Sequence, residues 1–204
     1  SGKGDFIPIS GRRRSACLTA SLWFLCAAGT AGRRPESFWK SKVAPLAARI
    51  AQALIQDRFP KTRMTDGGLL ECTAADRPAA MLADTLWCNG LNAVARALQE
   101  LDPANADHFT RLSARQRRSF MKAYWCDRHG SLCATACVDG HPAATDPTAL
   151  LSVTLPDAAL PKTKQRQMAK DCAENARGRM GLKVMLHHAR FGESKQKYRE
   201  LLQR

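Results

Sequence analysis

Between positions 126 and 141 the chain sets five soft or borderline metal donors: Cys126, His129, Cys133, Cys137 and His141. Thiolate and imidazole are the donors that tetrahedral zinc takes. His129, Cys133, Cys137 and His141 recur every four residues, which lines one face of a helix and lets i, i+4 pairs share an ion. Two features oppose that arrangement. Gly130 and the run Gly140-His141-Pro142 interrupt any helix through all four. The paired Cys-x-x-Cys spacing of structural zinc sites is also absent, although Cys126-x-x-His129 has the same length. Thiols buried as small hydrophobes, beside Leu132, Ala134 and Ala136, are therefore the preferred reading of the cluster. No cofactor is expected, with zinc on Cys126, His129, Cys133 and Cys137 as the alternative.

Just upstream, cations recur with helical spacing. Arg115, Arg118 and Lys122 stand at i, i+3 and i+7, and so share one face, while Phe120, Ala123 and Tyr124 fall on the other. Ser113-x-x-Gln116 reads as a capping box that starts this helix, with Arg111 just ahead of the cap in line with the stripe. A cationic stripe about two turns long can follow a phosphate backbone, and it can also be a solvated helix face. Composition shifts that balance. The chain has 204 residues with 32 Lys and Arg against 18 Asp and Glu, a formal net charge of +14. Residues 162–204 alone hold 12 Lys and Arg against 4 Asp and Glu, so a net +8 sits in the last fifth of the chain. There Arg179, Lys183, His187 and Arg190 repeat the stripe, with Leu182, Met185, Leu186 and Ala189 turned away. Clustered cations suit a polyanion, because counterion release grows with the number of phosphates neutralised.

Catalytic signatures are missing from the sequence. There is no phosphate-cradling Gly-x-x-x-x-Gly-Lys loop, no Gly-x-Gly-x-x-Gly, no Gly-x-Ser-x-Gly and no His-Glu-x-x-His. The expectation leans away from an enzyme.

The elements that must position these residues are helical. Ala, Leu, Arg, Gln and Met are abundant and β-branched runs are few. The expected fold is mostly α: one helical domain with irregular loops and a basic C-terminal helical region. Residues 1–14 read as a basic tail, 15–160 as the core domain and 161–204 as the basic region. The stretch 11–32 mimics a secretory leader, with Arg12, Arg13 and Arg14 ahead of an apolar run. That run is shorter than the ~20 residues a membrane span needs, and a buried helix over 15–28 is preferred. A second helix is expected over 37–58, with Val43, Leu46, Ala47, Ile50, Ala53 and Leu54 on one face and Pro45 marking a start or a kink. Residues 59–68 read as a loop, 79–101 as a helix broken at Asn89-Gly90, and 101–109 as a turn. A brief extended piece is expected at 151–155, then a helix over 163–189 interrupted near Gly178 and Gly181. The eight cysteines are expected to be mostly reduced thiols.

Four segments stand in a familiar order: Leu-Ile-Gln-Asp-Arg-Phe-Pro-Lys (54–61), Asp-Arg-Pro-Ala-Ala-Met-Leu-Ala-Asp-Thr-Leu (76–86), Leu-Ser-Ala-Arg-Gln-Arg-Arg-Ser-Phe-Met-Lys-Ala-Tyr (112–124) and Cys-Val-Asp-Gly-His-Pro-Ala (137–143). Over about 90 residues this order resembles the ProQ/FinO family of RNA chaperones. After Arg77-Pro78 the chain has Ala79-Ala80 where that family has Leu-Lys, so one basic contact is missing. The stretch 88–108 is extra. The resemblance implies binding of structured RNA, with Arg77, Arg115, Arg118 and Lys122 as contacts.

The sequence thus points to a cytoplasmic protein that grips nucleic acid, RNA before DNA, by phosphate neutralisation. The contacts are Arg77, Arg111, Arg115, Arg118, Lys122, Arg179, Lys183 and Arg190. One alternative is an assembly component that meets an acidic protein partner, with Trp23, Phe24, Phe38 and Trp39 as interface aromatics. Another is a secreted effector held by zinc or disulfides.

Overall fold

The computed structural model describes residues 14–30, 36–59, 61–73, 77–127, 130–132, 147–175, 177–178 and 181–182. Its organising element is α4 (Arg77–Leu98). Every residue from Ala83 to Leu91 is buried, so this helix has no solvent face over more than two turns. Its composition permits this. Small or apolar side chains point in every direction, and the three polar ones, Asp84, Thr85 and Asn89, all find partners inside: Leu70 and Tyr124, Met81, and Asp157.

Four bodies surround α4. On one side lies α1 (Arg14–Thr30), which buries Leu18, Leu22, Leu25, Cys26 and Ala28. The contact is close because each helix offers a glycine to the other. Gly90 of α4 faces Leu25, where an added Cβ would lie 2.9 Å from the Leu25 Cβ, and Gly29 of α1 faces Ala93. This explains why Asn89-Gly90 does not break the helix, contrary to expectation: the glycine clears a path for α1, and the asparagine accepts the Asp157 N–H at 2.9 Å. On the opposite side lies α5 (Pro103–Tyr124), meeting α4 through Asp84, Cys88 and Asn92. A third flank is held by α3 (Ala44–Ile55) and an antiparallel hairpin, β1 (Thr62–Met64) with β2 (Leu70–Cys72), in register Arg63 to Glu71. The fourth is covered by a 3₁₀ turn (Pro147–Leu150), α6 (Leu151–Thr154) and the loop after it, where Asp157 pairs with Arg96 at 2.5 Å.

The expected mostly α, single-domain architecture is what the chain forms. The helix expected over 15–28 is α1, but it is buried along one side only: Thr19, Ala20, Trp23 and Ala27 are exposed. Among the described residues no helix is long and apolar enough to cross a membrane. Pro45 acts through a wide turn: α2 (Glu36–Phe38) runs into a π-turn (Trp39–Val43), whose end is marked by the Ala44 N–H reaching Trp39 O, five residues back. That turn opens the backbone where the Pro45 ring would otherwise strike the preceding coil.

Several expectations are corrected. The loop expected over 59–68 contains β1 and the hairpin turn, whose Gly68 takes a φ of +84°. Leu151–Thr154 is helical, not extended, with Ser152 Oγ donating to Ala149 O. The segment expected as a turn at 101–109 is the first part of α5. Asp102 caps it by accepting from the Asn105 N–H at 3.2 Å, and Pro103 sits at the first position, where no N–H is needed. Ser113 is therefore mid-helix and buried, and caps nothing. Downstream, α7 (Lys162–Asn175) docks by burying Met168 and by setting Lys164 Nζ 3.9 Å above the Trp125 ring. It ends before β5 (Arg177–Gly178), which pairs with β6 (Gly181–Leu182).

Candidate nucleic-acid interface

The phase of α5 is set by what it buries. Ala106, Phe109, Leu112, Ser113, Gln116, Phe120 and Tyr124 recur at helical spacing and all face α4. Three hydrogen bonds fix the rotation further. Asn92 Nδ2 donates to Ser113 Oγ at 2.8 Å, Gln116 Nε2 donates to the Asp84 carbonyl at 2.9 Å, and Tyr124 Oη donates to the Asp84 carboxylate at 2.9 Å. Asp84 Oδ1 also accepts the Leu70 N–H at 2.7 Å, and Trp87 Nε1 donates to Gly68 O at 3.1 Å, so the same side of α4 holds the β1–β2 hairpin. Burial pushes the Asp84 carboxyl up to about 7, against the two hydrogen bonds that favour its charged form.

With that face committed, the opposite face is determined. Arg111, Arg115, Arg118 and Lys122 stand at i, i+4, i+7 and i+11, and all are exposed. At 100° per residue they fall within an arc of about 60°, diametrically opposite Phe120, and span about 16 Å of axis. None forms an ion pair among the described residues, whose pairs use Lys40, Arg63, Arg96 and Lys164. The one acidic residue within α5, Asp107, lies a turn before Arg111. Arg117 stands apart from the stripe. It is half-buried beside the Cys88 thiol, and its Nε has no hydrogen-bond partner.

Of the remaining expected contacts, Arg77 is the first residue of α4, and its side chain lies outside the described residues, as do Arg179, Lys183 and Arg190. Strand β6 falls between Arg179 and Lys183, so the helical spacing that joined them in one stripe does not hold there. A second group of cations, mixed with acids, was not visible in the sequence. At the open end of the hairpin, Arg58, Lys61 and Arg63 line a shallow groove of about 440 Å³ together with Asp57, Glu71, Phe59, Thr62 and Thr73. Arg63 is tied to Glu71 at 2.6 Å, whereas Arg58 and Lys61 are exposed and form no ion pair among the described residues. Asp57 and Lys61 reach this geometry through left-handed backbone, φ 53° and 61°. Asp57 Oδ1 then accepts the Met64 N–H at 2.7 Å. The signal for such a turn was Asp-Arg-Phe-Pro, an Asp in a position that tolerates positive φ followed by a proline.

The thiols behave as packing groups. Cys26, Cys72, Cys88 and Cys126 are reduced. Burial raises Cys26 to about 11 and lifts Cys88 as well, so neither offers a thiolate at neutral pH. Cys126 sits in β3 (Trp125–Cys126), paired with β4 (Ser131–Leu132), so no continuous helix runs through the donor cluster. His129, Cys133, Cys137 and His141 lie outside the described residues. Among the described residues no group of three or more His, Cys, Asp or Glu could hold a metal ion. The chain matches no family model, no curated protein and no solved structure.

Proposed function

We propose that this protein binds nucleic acid, RNA in preference to DNA, along the outer face of α5. The observation that carries the reading is the set Arg111, Arg115, Arg118 and Lys122: exposed, without ion-pair partners among the described residues, and held on one side of a helix whose other side is locked into the core. A merely solvated helix intersperses acids with its bases at i, i+4, which lowers self-repulsion. Here Asp107 stands at i, i+4 to Arg111 alone, and from Arg115 to Lys122 the stripe holds no acid, so its cations repel one another and a polyanion relieves that repulsion. Each Arg or Lys would neutralise a phosphate, releasing a condensed counterion, with little reading of base identity. The segment order resembling ProQ/FinO RNA chaperones supports RNA over DNA. The net +8 of residues 162–204 supplies further contacts in the same sense.

The test is a binding titration with a structured RNA hairpin over a range of KCl. Arg115→Ala with Arg118→Ala should weaken binding and reduce the slope of log K against log salt by about one per lost contact. Unchanged affinity and slope would refute the assignment. Equal affinity for the DNA hairpin of the same sequence would refute the preference for RNA. An acidic protein would use the same stripe. If the protein's large species in a size-exclusion run survives nuclease, that partner replaces nucleic acid.

A further inference from the structure

α7 opens the basic last fifth of the chain, and it is docked on the core at the end of α5. Three contacts hold it there. Met168 is fully buried in the cluster that also holds Phe120 and Tyr124 of α5 and Leu132 of β4. Lys164 Nζ lies 3.9 Å above the ring of Trp125, the residue that follows α5, and 3.2 Å from Asp127 Oδ1. Gln167 lies against the β3–β4 turn at Gly130, whose φ of +62° and missing Cβ leave room for its amide. This dock decides what the other side of α7 shows. At 100° per residue, Lys162, Arg166 and Lys170 fall within an arc of about 80° on the side away from Met168, and they span about 12 Å of axis. All three are exposed, and no acid stands between Lys162 and Lys170. Lys162 and Arg166 form no ion pair among the described residues.

The row on α7 begins beside the place where the stripe on α5 ends. Lys122 is exposed in the last turn of α5, three residues ahead of Trp125. Lys162 and Arg166 stand two residues either side of Lys164, which sits on the Trp125 ring. Asp127, the acid at this corner, accepts from Lys164 Nζ and from Trp125 Nε1, the latter at 2.8 Å, so it is spent on the clasp. A loosely tethered basic helix would move away from the cations of α5. Here the burial of Met168 and the seat on Trp125 hold the two rows close against their repulsion, and a phosphate backbone that crosses the corner relieves it. We infer that α5 and α7 form one two-limbed track for RNA, with the Trp125–Lys164 clasp as its corner, and that the RNA it fits is a stem longer than the α5 stripe alone can cover. The inference rests on the α5 reading and extends it. At about 3.4 Å of axis per base pair, the α5 stripe covers about five base pairs and the two limbs together about eight before the corner is added.

The test is a salt titration of the full chain with two RNA hairpins, one with a stem of about five base pairs and one of about twelve. Arg115→Ala with Arg118→Ala should lower the slope of log K against log salt on both stems, which gauges the α5 reading by itself. Lys162→Ala with Arg166→Ala should lower the slope by about two on the long stem and by less than about one on the short stem. Both side chains are exposed, and binding of the short stem reports that the variant is folded. Met168→Ala keeps every charge but loosens the dock, and should weaken the long stem several-fold while sparing the short one. A long-stem slope unmoved by the α7 double variant overturns the inference and leaves the α5 reading intact. Equal losses on both stems would make α7 a separate binding element, not a continuation of α5, and overturn it as well. Wild-type binding of the long stem by M168A would show α7 acting as a free basic tail, with no docked track.

Discussion

Replacing Asp84 by Asn should make the protein's stability less sensitive to pH. The carboxyl is buried between α4, the hairpin and the end of α5, and burial raises it from an ordinary 3.8 to about 7. Below the ordinary value, both folded and unfolded chains carry the proton. Between about 4 and 7 the folded chain keeps it while the unfolded chain releases it, so stability falls as pH rises through that window. Three pH units at 1.36 kcal/mol each give a loss on the order of 4 kcal/mol, complete above pH 7. Cys72, the titrating thiol nearby, is itself raised by burial above 9.0 and stays neutral throughout. The amide introduced by Asp84→Asn would keep an acceptor for the Leu70 N–H and a polar partner for Tyr124 Oη, and it has no charge to bury. Urea unfolding followed by tryptophan fluorescence at pH 4.5 and 7.5 measures both proteins. The stability difference between D84N and wild type should move in favour of D84N by several kcal/mol from the lower pH to the higher. A difference that stays constant within 1 kcal/mol would show that Asp84 is ionised at no cost, and the account of α4 as a dry centre would be wrong. Asp84→Ala is the contrasting control: it orphans the Leu70 N–H and the Tyr124 hydroxyl and should destabilise by about 1–3 kcal/mol for each at either pH.

Reversing charge at Arg115 and Arg118 to Glu should abolish RNA binding in a filter assay while moving the urea-derived stability by no more than about 0.5 kcal/mol, because both side chains are exposed and form no ion pair among the described residues. A large stability loss would mean that the stripe serves the fold instead. Gly29→Ala should push α1 off Ala93 and cost about 1–3 kcal/mol; calorimetry showing no drop in Tm would contradict the close approach of the two helices. Phe120→Ala should cost about 3–5 kcal/mol, since the ring is fully buried against Tyr124 with centroids 4.9 Å apart. Thiol labelling at pH 8 should reach Cys26 and Cys88 only on unfolding, as mass mapping of the labelled peptides would show.

Composition and periodicity determined the helical class, the helix over residues 15–28, and the cationic and apolar sides of the segment from Arg115 to Tyr124. These are local properties: helix preference belongs to single residues, and a stripe belongs to a spacing of three or four. Sequence could not show where α5 begins. The capping-box pattern at Ser113-x-x-Gln116 points to a start there and 101–109 reads as a turn, whereas in the fold Asp102 caps the helix and Ser113 is buried in its middle, accepting from Asn92. Nor could it show that Asn89-Gly90 continues a helix, because the reason lies 65 residues away in Leu25. That four cations stand without acidic partners among the described residues is likewise a fact of three dimensions. Any of the 18 carboxylates could have folded onto them, and only the completed packing around α4 shows where the described ones are spent.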